Sequence, residues 1–320
     1  MPYIENSTYS PSFVFKSGHV NTMYRAVFCN PELQYSRKRV ELSDGDFVDL
    51  DFSTIGSKKL VLLIHGLEGS SNSSYMISLT NELNRNGYDS VSMNLRGCSG
   101  EPNRLFCSYH SGKTEDIEEV IDYILKNYHY DELHMVGYSL GGNLTLKYLG
   151  EKDRPHINSA VAISTPCDLE STAIKMTAVA NKLYLNVFLK TLKEKALQKS
   201  EQFPDSFLSK EYLQKIKNFK ELDDLYTAPA NGFINAEDYW HKASCKQFIP
   251  TIKTKSLLIN ALDDPFFTLE SYPIKEAKNN EYFYLETPKY GGHVGFMTYL
   301  NTNKLPWCEQ RIISFIQHGE

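Results

Sequence analysis

The fold of this chain is decided by the stretch Gly137-Tyr138-Ser139-Leu140-Gly141, which follows the apolar run at 134–136 and leads into a helical pattern from Asn143. This arrangement predicts a strand, a tight turn at Ser139 and a helix. The turn requires a strained backbone at the serine, and Gly137 and Gly141 remove side chains that would collide with neighbouring backbone. We therefore predict that the Ser139 hydroxyl is a nucleophile that stands above a sheet edge. A glycine-rich turn with an incidental serine is the alternative interpretation.

A serine hydroxyl is a weak nucleophile unless a base takes its proton and an acid holds that base in the correct tautomer. Asp263 and Asp264 follow the β-type run at 256–260, and His293 lies between glycines after the run at 282–285. Neighbouring side chains of an extended segment point to opposite sides, and Pro265 sets the turn after Asp264. We predict His293 as the base and Asp264 as the acid. Asp263 stays the alternative acid, and structural loop roles are the alternative for all three.

The apolar run at 60–64 ends in His65-Gly66-Leu67-Glu68-Gly69-Ser70. Backbone N–H groups stabilise the negative charge that develops on a tetrahedral intermediate, and we predict that Leu67 and Leu140 supply them. Gly66 lets the backbone approach the substrate closely, and His65 is expected to brace the loop through hydrogen bonds. The rival interpretation is a phosphate-binding loop, but the sequence has neither a Gly-Lys-Ser/Thr ending nor a Gly-x-Gly-x-x-Gly pattern.

Runs typical of buried strands recur along the chain, and helical patterns separate most of them. The runs lie in a hairpin around 43–45 and then at 60–64, 90–94, 133–137, 160–164, 256–260 and 282–286. They predict an α/β fold with an eight-stranded, mostly parallel, doubly wound sheet. The predicted site residues all follow strand carboxyl ends, where open α/β sheets place their sites.

The domain organisation predicted from these patterns has three parts. Residues 1–37 form an N-terminal arm, 38–166 and 249–320 form the α/β core, and 167–248 form a helical insertion without a convincing strand. We interpret the insertion as a cap that folds over Ser139 and excludes water, with a packed helical decoration as the alternative. Its lysines 190, 193, 195 and 199 are interpreted as a solvated helix face.

Composition restricts the function further. The 320 residues are 41% hydrophobic and 23% charged with a net charge of −5, which does not favour nucleic acid as a partner. The six cysteines are scattered and are expected to be reduced, and no ligand spacing indicates a metal or a cofactor. The chain opens without a secretory pattern and has no apolar run long enough for a membrane span, so we expect a cytoplasmic protein. Transient contact with a membrane surface and the oligomeric state are left open.

Several segments together carry a family resemblance, although each alone is unspecific. They are 15–22, 44–51, 65–70, 94–100, 109–112, 226–229, 263–266 and 291–296. With them the sequence resembles the YheT-like branch of the α/β-hydrolase superfamily (AB hydrolase family 4), whose animal members are abhydrolase-domain esterases and phospholipase-like enzymes. Asn21 stands where this family is expected to have glutamine, a departure outside the predicted catalytic residues.

The resemblance implies an activity: serine-dependent hydrolysis of carboxylic esters with short- to medium-chain acyl groups or lipid-like structure. It places the family triad on Ser139, Asp264 and His293, in agreement with the interpretation of the residues. A small-molecule ester is the expected substrate. A thioesterase or acyltransferase on the same triad, or a ligand-binding protein without turnover, are the alternatives.

Overall fold

The computed structural model describes residues 3–29, 31–300 and 306–319. These residues contain one nine-stranded β-sheet. Its strands are β1 (Tyr3–Ile4), β2 (Ser36–Glu41), β3 (Phe47–Ser53), β4 (Lys59–Ile64), β5 (Asp89–Asn94), β6 (Glu132–Tyr138), β7 (Ser159–Ile163), β8 (Lys255–Ile259) and β9 (Phe283–Glu286). Across the sheet they lie in the order β1-β9-β8-β7-β6-β4-β5-β3-β2.

The sheet is mostly parallel, since only the pairs β2–β3 and β3–β5 are antiparallel. The predicted α/β fold class is confirmed, but the predicted number of eight strands is wrong by one. The additional strand is β1, which pairs in parallel with β9 by placing Tyr3 opposite Leu285 and Ile4 opposite Glu286. A strand of two residues carries no periodicity that a sequence could reveal, so only its pairing in the folded chain defines it.

Helices separate most of the strands along the chain. They are α1 (Gly18–Phe28), α2 (Ser74–Arg85), α3 (Glu115–Asn127), α4 (Leu140–Glu151), α5 (Leu169–Met176), α6 (Lys182–Gln202), α7 (Lys210–Lys215), α8 (Phe219–Leu222), α9 (Ala228–Ala230), α10 (Ala236–Ala243), α11 (Ile274–Asn279) and α12 (Trp307–His318). Short 3-10 helices cover Phe13–Lys16, Val179–Asn181, Cys245–Thr251 and Leu269–Ser271, and Asp223–Thr227 forms a π-helical turn. Within the described ranges, no helix has both the length and the apolar composition that crossing a bilayer would require.

Two hydrophobic cores lie on the two faces of the sheet, because successive side chains of a strand point to opposite faces. In β4, Leu60, Leu62 and Ile64 belong to one core, and Val61 and Leu63 belong to the other. All five side chains are fully buried. A parallel strand that is covered on both faces requires a continuous apolar run such as this one. The loop that starts at His65 follows directly from the end of this buried strand.

The segment between β7 and β8 is helical: it contains α5 to α10, and residues 164–254, all of them described, include no strand. This segment has a hydrophobic core of its own, to which Leu185, Leu189 and Leu213 contribute. Phe266 and Phe267, from the loop after β8, belong to the same core. The helical segment therefore packs against the loop that carries Asp264, while its predicted limits at 167 and 248 stay a prediction.

Helix α1 lies in the part of the chain that was predicted only as an arm. Its buried Asn21 donates a hydrogen bond to Tyr9 Oη at 2.9 Å and accepts one from the Met297 backbone N–H at 2.9 Å. Thr22 Oγ1 accepts a hydrogen bond from the His293 backbone N–H at 2.8 Å. Helix α1 thus holds the backbone on either side of the loop after β9, which positions His293.

Candidate active site

Ser139 occupies the sharp turn between β6 and α4 with a positive φ of 52° and a ψ of −116°. Neighbouring backbone atoms lie so close to the two glycines of the turn that neither position has room for a side chain. A Cβ on Gly137 would lie 2.3 Å from the Gly141 carbonyl oxygen, and a Cβ on Gly141 would lie 2.3 Å from that of Ile64. Both distances are far below van der Waals contact, so a side chain on Gly137 would force β6 away from the start of α4, and one on Gly141 would push the turn away from β4.

Three distant parts of the chain meet at Ser139. His293 Nε2 lies 2.9 Å from Ser139 Oγ, and His293 Nδ1 lies 2.8 Å from Asp264 Oδ2. Asp264 is buried, and its Oδ1 accepts a hydrogen bond from the Phe266 backbone N–H at 2.9 Å. Since an ionised carboxylate only accepts, the imidazole proton belongs on Nδ1, which leaves Nε2 free to accept the serine proton.

Asp263, the alternative acid, makes no hydrogen bond to His293 in the described structure. Its Oδ1 accepts from the Gly292 backbone N–H at 2.8 Å, and burial raises its pKa to about 6. The two neighbouring aspartates therefore divide their contacts: Asp264 meets the imidazole, and Asp263 holds the backbone just before it. Gly18 of α1 also lies against Asp263, because a Cβ there would come within 2.0 Å of the Asp263 carbonyl oxygen.

The loop after β4 lies directly beside the serine. A Cβ on Gly66 would sit 3.1 Å from Ser139 Cβ, and Leu67 and Leu140 line the same cavity as Ser139. His65 is fully buried; its Nδ1 lies 2.7 Å from the Gly66 carbonyl oxygen, and its Nε2 accepts from the Leu95 N–H at 3.1 Å. Burial lowers the pKa of His65 to about 4, so a neutral imidazole ties this loop to the loop after β5.

The residue after Leu67 carries a network that the sequence did not reveal. Glu68 has a positive φ of 55°, its backbone N–H donates to Tyr109 Oη at 3.0 Å, and Tyr109 Oη donates to Glu68 Oε1 at 2.6 Å. Lys195 of α6 donates to Glu68 Oε1 at 3.0 Å and lies 3.2 Å from Cys98 Sγ. Helix α6 is therefore linked by an ion pair to the loop that lies beside Ser139.

This contact corrects the interpretation of the lysines on α6 as a solvated face. Lys195 is about one-third exposed in its ion pair with Glu68, and Lys199 is buried with its amine donating to the Asn103 and Leu105 carbonyl oxygens at 2.5 and 2.6 Å. Helical spacing alone predicts which lysines share a face, but not whether another part of the chain covers that face.

A cavity of about 150 Å³ opens above Ser139 and is lined by both Ser139 and His293. Most of its wall is apolar or aromatic and comes from the helical segment and the loop after β8, including Met176, Phe188, Leu192, Tyr226, Phe266 and Phe267. One further carboxylate, Asp223, lines the wall; the Trp240 indole N–H donates to its Oδ2 at 2.8 Å, and burial raises its pKa to about 6. Such walls suit an apolar chain attached to a reacting carbonyl.

Among the described residues, no group of three or more His, Cys, Asp or Glu side chains is arranged to hold a metal ion. The histidine at the centre of the site instead contacts one hydroxyl and one carboxylate, the arrangement that supports proton transfer to and from an oxygen nucleophile. The geometry is suited to acyl transfer at a serine.

The fold and the placement of the serine turn define the class of protein. Residues 59–298 match a family model that is described as the α/β-hydrolase fold. The chain therefore belongs to the α/β-hydrolase family. Similarity to individual proteins narrows this further to the YheT-like members. The Escherichia coli (strain K12) protein YheT, named as an esterase, is 33% identical over 319 residues, which cover 97% of this chain and 93% of YheT. The resemblance noted from the sequence is confirmed.

Other relatives carry lipid-related names. Phospholipase ABHD3 of Homo sapiens is 28% identical over 328 residues, which cover 98% of this chain and 80% of that protein.

Among solved structures, the Pyrococcus furiosus esterase Pf2001 has the same fold with a TM-score of 0.57 at 16% identity, covering 88% of this chain and 92% of that one.

Proposed function

We propose that this protein hydrolyses carboxylic esters through a covalent acyl-enzyme on Ser139, with His293 as general base and Asp264 as its acid partner. Ester hydrolysis is the activity for which its relatives are named, as esterase, monoacylglycerol lipase and phospholipase. The observation that carries the assignment of residues is the continuous hydrogen-bonded line from Asp264 Oδ2 through His293 to Ser139 Oγ.

In the first half of the reaction, His293 Nε2 takes the Ser139 proton as Oγ attacks the ester carbonyl carbon. The negative charge of the tetrahedral intermediate lies on the former carbonyl oxygen, where the Leu67 and Leu140 backbone N–H groups stabilise it. Asp264 stabilises the imidazolium that has formed. The intermediate collapses when His293 returns its proton to the leaving alcohol, and the acyl group stays on Ser139.

In the second half, water replaces the alcohol. His293 takes a proton from the water molecule as its oxygen attacks the acyl-enzyme, and collapse of the second intermediate returns that proton to Ser139 Oγ and releases the carboxylic acid. The apolar cavity wall favours acyl chains of short to medium length or the chain of a lipid-like ester.

The ion pair between α6 and the loop after β4 leads to a prediction about Lys195. Lys195→Met removes the ion pair and leaves Tyr109 as the partner of the Glu68 carboxylate. This should loosen the loop that carries Leu67 and lower kcat for a soluble ester by about 10-fold with little change in KM, because oxyanion contacts act mainly in the transition state. Steady-state kinetics measure both constants, and Lys195→Arg should recover most of kcat.

Lys193→Met is the matched control for this prediction. Lys193 lies on the same helix but donates to the Gln214 and Ile216 carbonyl oxygens rather than to the loop beside Ser139. Equal losses of kcat in Lys193→Met and Lys195→Met would show that the effect comes from general damage to α6 and not from the contact with Glu68.

The experiment that tests the proposed function is a panel of p-nitrophenyl esters from acetate to palmitate. We expect hydrolysis with an optimum at short to medium chains, because the apolar cavity is of limited volume. A burst of p-nitrophenol equal to the enzyme concentration is expected wherever the second half of the reaction is slow. Absence of turnover across the whole panel and with thioesters of the same acyl chains would contradict a hydrolase; turnover of thioesters alone would assign thioesterase activity instead.

A further inference from the structure

Exposed apolar side chains are concentrated in two short segments of the described chain. Among the large hydrophobic residues that are exposed, six lie between Phe13 and Phe28 and four lie between Ile174 and Val187. Val179 is 91% exposed, at the corner between α5 and α6, and Leu183 and Val187 follow on the outer face of α6. We call this the outer cap surface and define it by Ile174, Val179, Leu183 and Val187, together with Val20, Met23 and Val27 on α1.

The charge of these segments has one sign, in contrast to the chain as a whole. Residues 6–31 and 171–193 contain no aspartate or glutamate, whereas the net charge of the protein is −5. The exposed cations among the apolar side chains are Lys16, Lys175, Lys182 and Lys190. A patch of positive charge and apolar side chains on an acidic protein matches a partner that is both anionic and apolar.

The two segments are joined in space. The imidazole of His19 on α1 stacks on the ring of Tyr184 on α6 with centroids 5.8 Å apart and an interplanar angle of 9°, and His19 Nδ1 lies 3.2 Å from Tyr184 Oη. This contact makes α1 and α6 neighbours in the folded chain, with the exposed Val20 and Leu183 each next in sequence to one of the two stacked residues.

Helices α5 and α6 also form part of the wall of the cavity above Ser139. Ala173 and Met176 of α5, and Phe188 and Leu192 of α6, line the cavity with their inner faces. Helices α5 and α6 thus bury one apolar face against the site and leave another exposed. A helix that is apolar on both sides is expected where the outer side also has an apolar partner.

We infer that the outer cap surface binds the face of a bilayer that contains anionic phospholipids. In this arrangement the apolar side chains enter the boundary between headgroups and acyl chains, and the surrounding lysines contact the anionic headgroups. The inference does not depend on the proposed chemistry, because none of the residues that define the surface takes part in the hydrogen bonds that join Ser139, His293 and Asp264.

Co-sedimentation with sucrose-loaded vesicles tests this inference. We expect the wild-type chain to bind vesicles of phosphatidylcholine with 30% phosphatidylglycerol at least about 10-fold more tightly than phosphatidylcholine alone, and to release as salt increases. The catalytically disabled Ser139→Ala variant should bind equally well, so that failure to hydrolyse esters and failure to bind vesicles are separate results.

Two variants and their matched controls locate the contact. Val179→Ser with Leu183→Ser should lower binding about 10-fold or more, and Ile55→Ser, which removes an exposed apolar side chain outside both segments, should not. The triple variant K175Q/K182Q/K190Q should bind anionic vesicles about 100-fold more weakly than the wild type, since each lysine contributes about five-fold to the affinity. K38Q/K58Q/K126Q removes the same charge from exposed lysines outside both segments and should change binding by less than about five-fold.

Circular dichroism and thermal unfolding report whether each variant, including Ser139→Ala, is folded, so this control does not depend on ester hydrolysis. The inference is overturned if the wild-type chain does not bind anionic vesicles, or if the control variants lose binding as much as the surface variants. It is also overturned if the protein forms dimers that Val179→Ser with Leu183→Ser dissociates while vesicle binding is unchanged, because the outer cap surface would then bind a second copy of the chain.

Discussion

Ser139→Ala should lower kcat/KM for p-nitrophenyl esters by roughly 10⁴- to 10⁶-fold, since the variant has no oxygen that can attack the carbonyl. The residual rate would come from the oxyanion donors and from binding of the ester, neither of which the substitution removes. The same substitution should abolish labelling of the protein by a fluorophosphonate, which reacts with an activated serine. Steady-state kinetics and intact-protein mass spectrometry measure the two effects.

Ser108→Ala is the matched control, because Ser108 lines the same cavity, and its Oγ donates to the neighbouring Tyr109 carbonyl oxygen at 3.3 Å rather than to Ser139, Asp264 or His293. Its activity should stay within a few-fold of the wild type. If Ser139→Ala retained more than about a tenth of the activity, or if the label appeared on another residue, the assignment of the nucleophile would be wrong even though the fold would stand.

Asp264→Asn should lower kcat by roughly 10⁴-fold, the second large effect expected at this site. An amide in place of the carboxylate can present its NH₂ group to His293 Nδ1, which favours the tautomer with the proton on Nε2 and leaves no base for Ser139. The imidazolium of the transition state would also lose its negative partner. Stopped-flow measurement of the acylation burst separates this loss from any effect on binding.

Asp263→Asn provides a comparison in which the same change is made one residue earlier. Its side-chain oxygen can still accept from the Gly292 N–H, the contact that Asp263 makes, so the loop before His293 should keep its position. We expect less than a 10-fold change in kcat. A larger loss in Asp263→Asn than in Asp264→Asn would exchange the roles that we propose for the two aspartates.

The two neighbouring aspartates show how much of this site the residue pattern alone could predict. Both aspartates follow β8, and the order of serine, acid and histidine is visible in the sequence. The choice of Asp264 relied on a general argument about alternation and Pro265, and the folded chain supplies the reason: Phe266 N–H holds one carboxylate oxygen while the other faces His293. The geometry supports the sequence-based choice, whose catalytic test is the pair of variants above.

Contacts between distant segments were harder to anticipate. Thr22, which accepts from the His293 backbone N–H, lies 271 residues before it in the chain, and Lys195 lies 127 residues after its partner Glu68. No local pattern distinguishes these residues from other threonines and lysines on helices. Their roles depend on how α1 and α6 pack, and packing is set by the combined burial of many side chains rather than by any one spacing.

Local chemistry was enough for the central elements of the fold. Glycines that tolerate close backbone approach mark the turn at Ser139, and continuous apolar runs mark strands that are covered on both faces, because each of these requirements acts on neighbouring residues. Long-range packing was needed for the two-residue strand β1, the burial of Lys199 and the link between α6 and the loop beside Ser139. These features depend on contacts between segments far apart in the chain, and a linear pattern carries no distance between such segments.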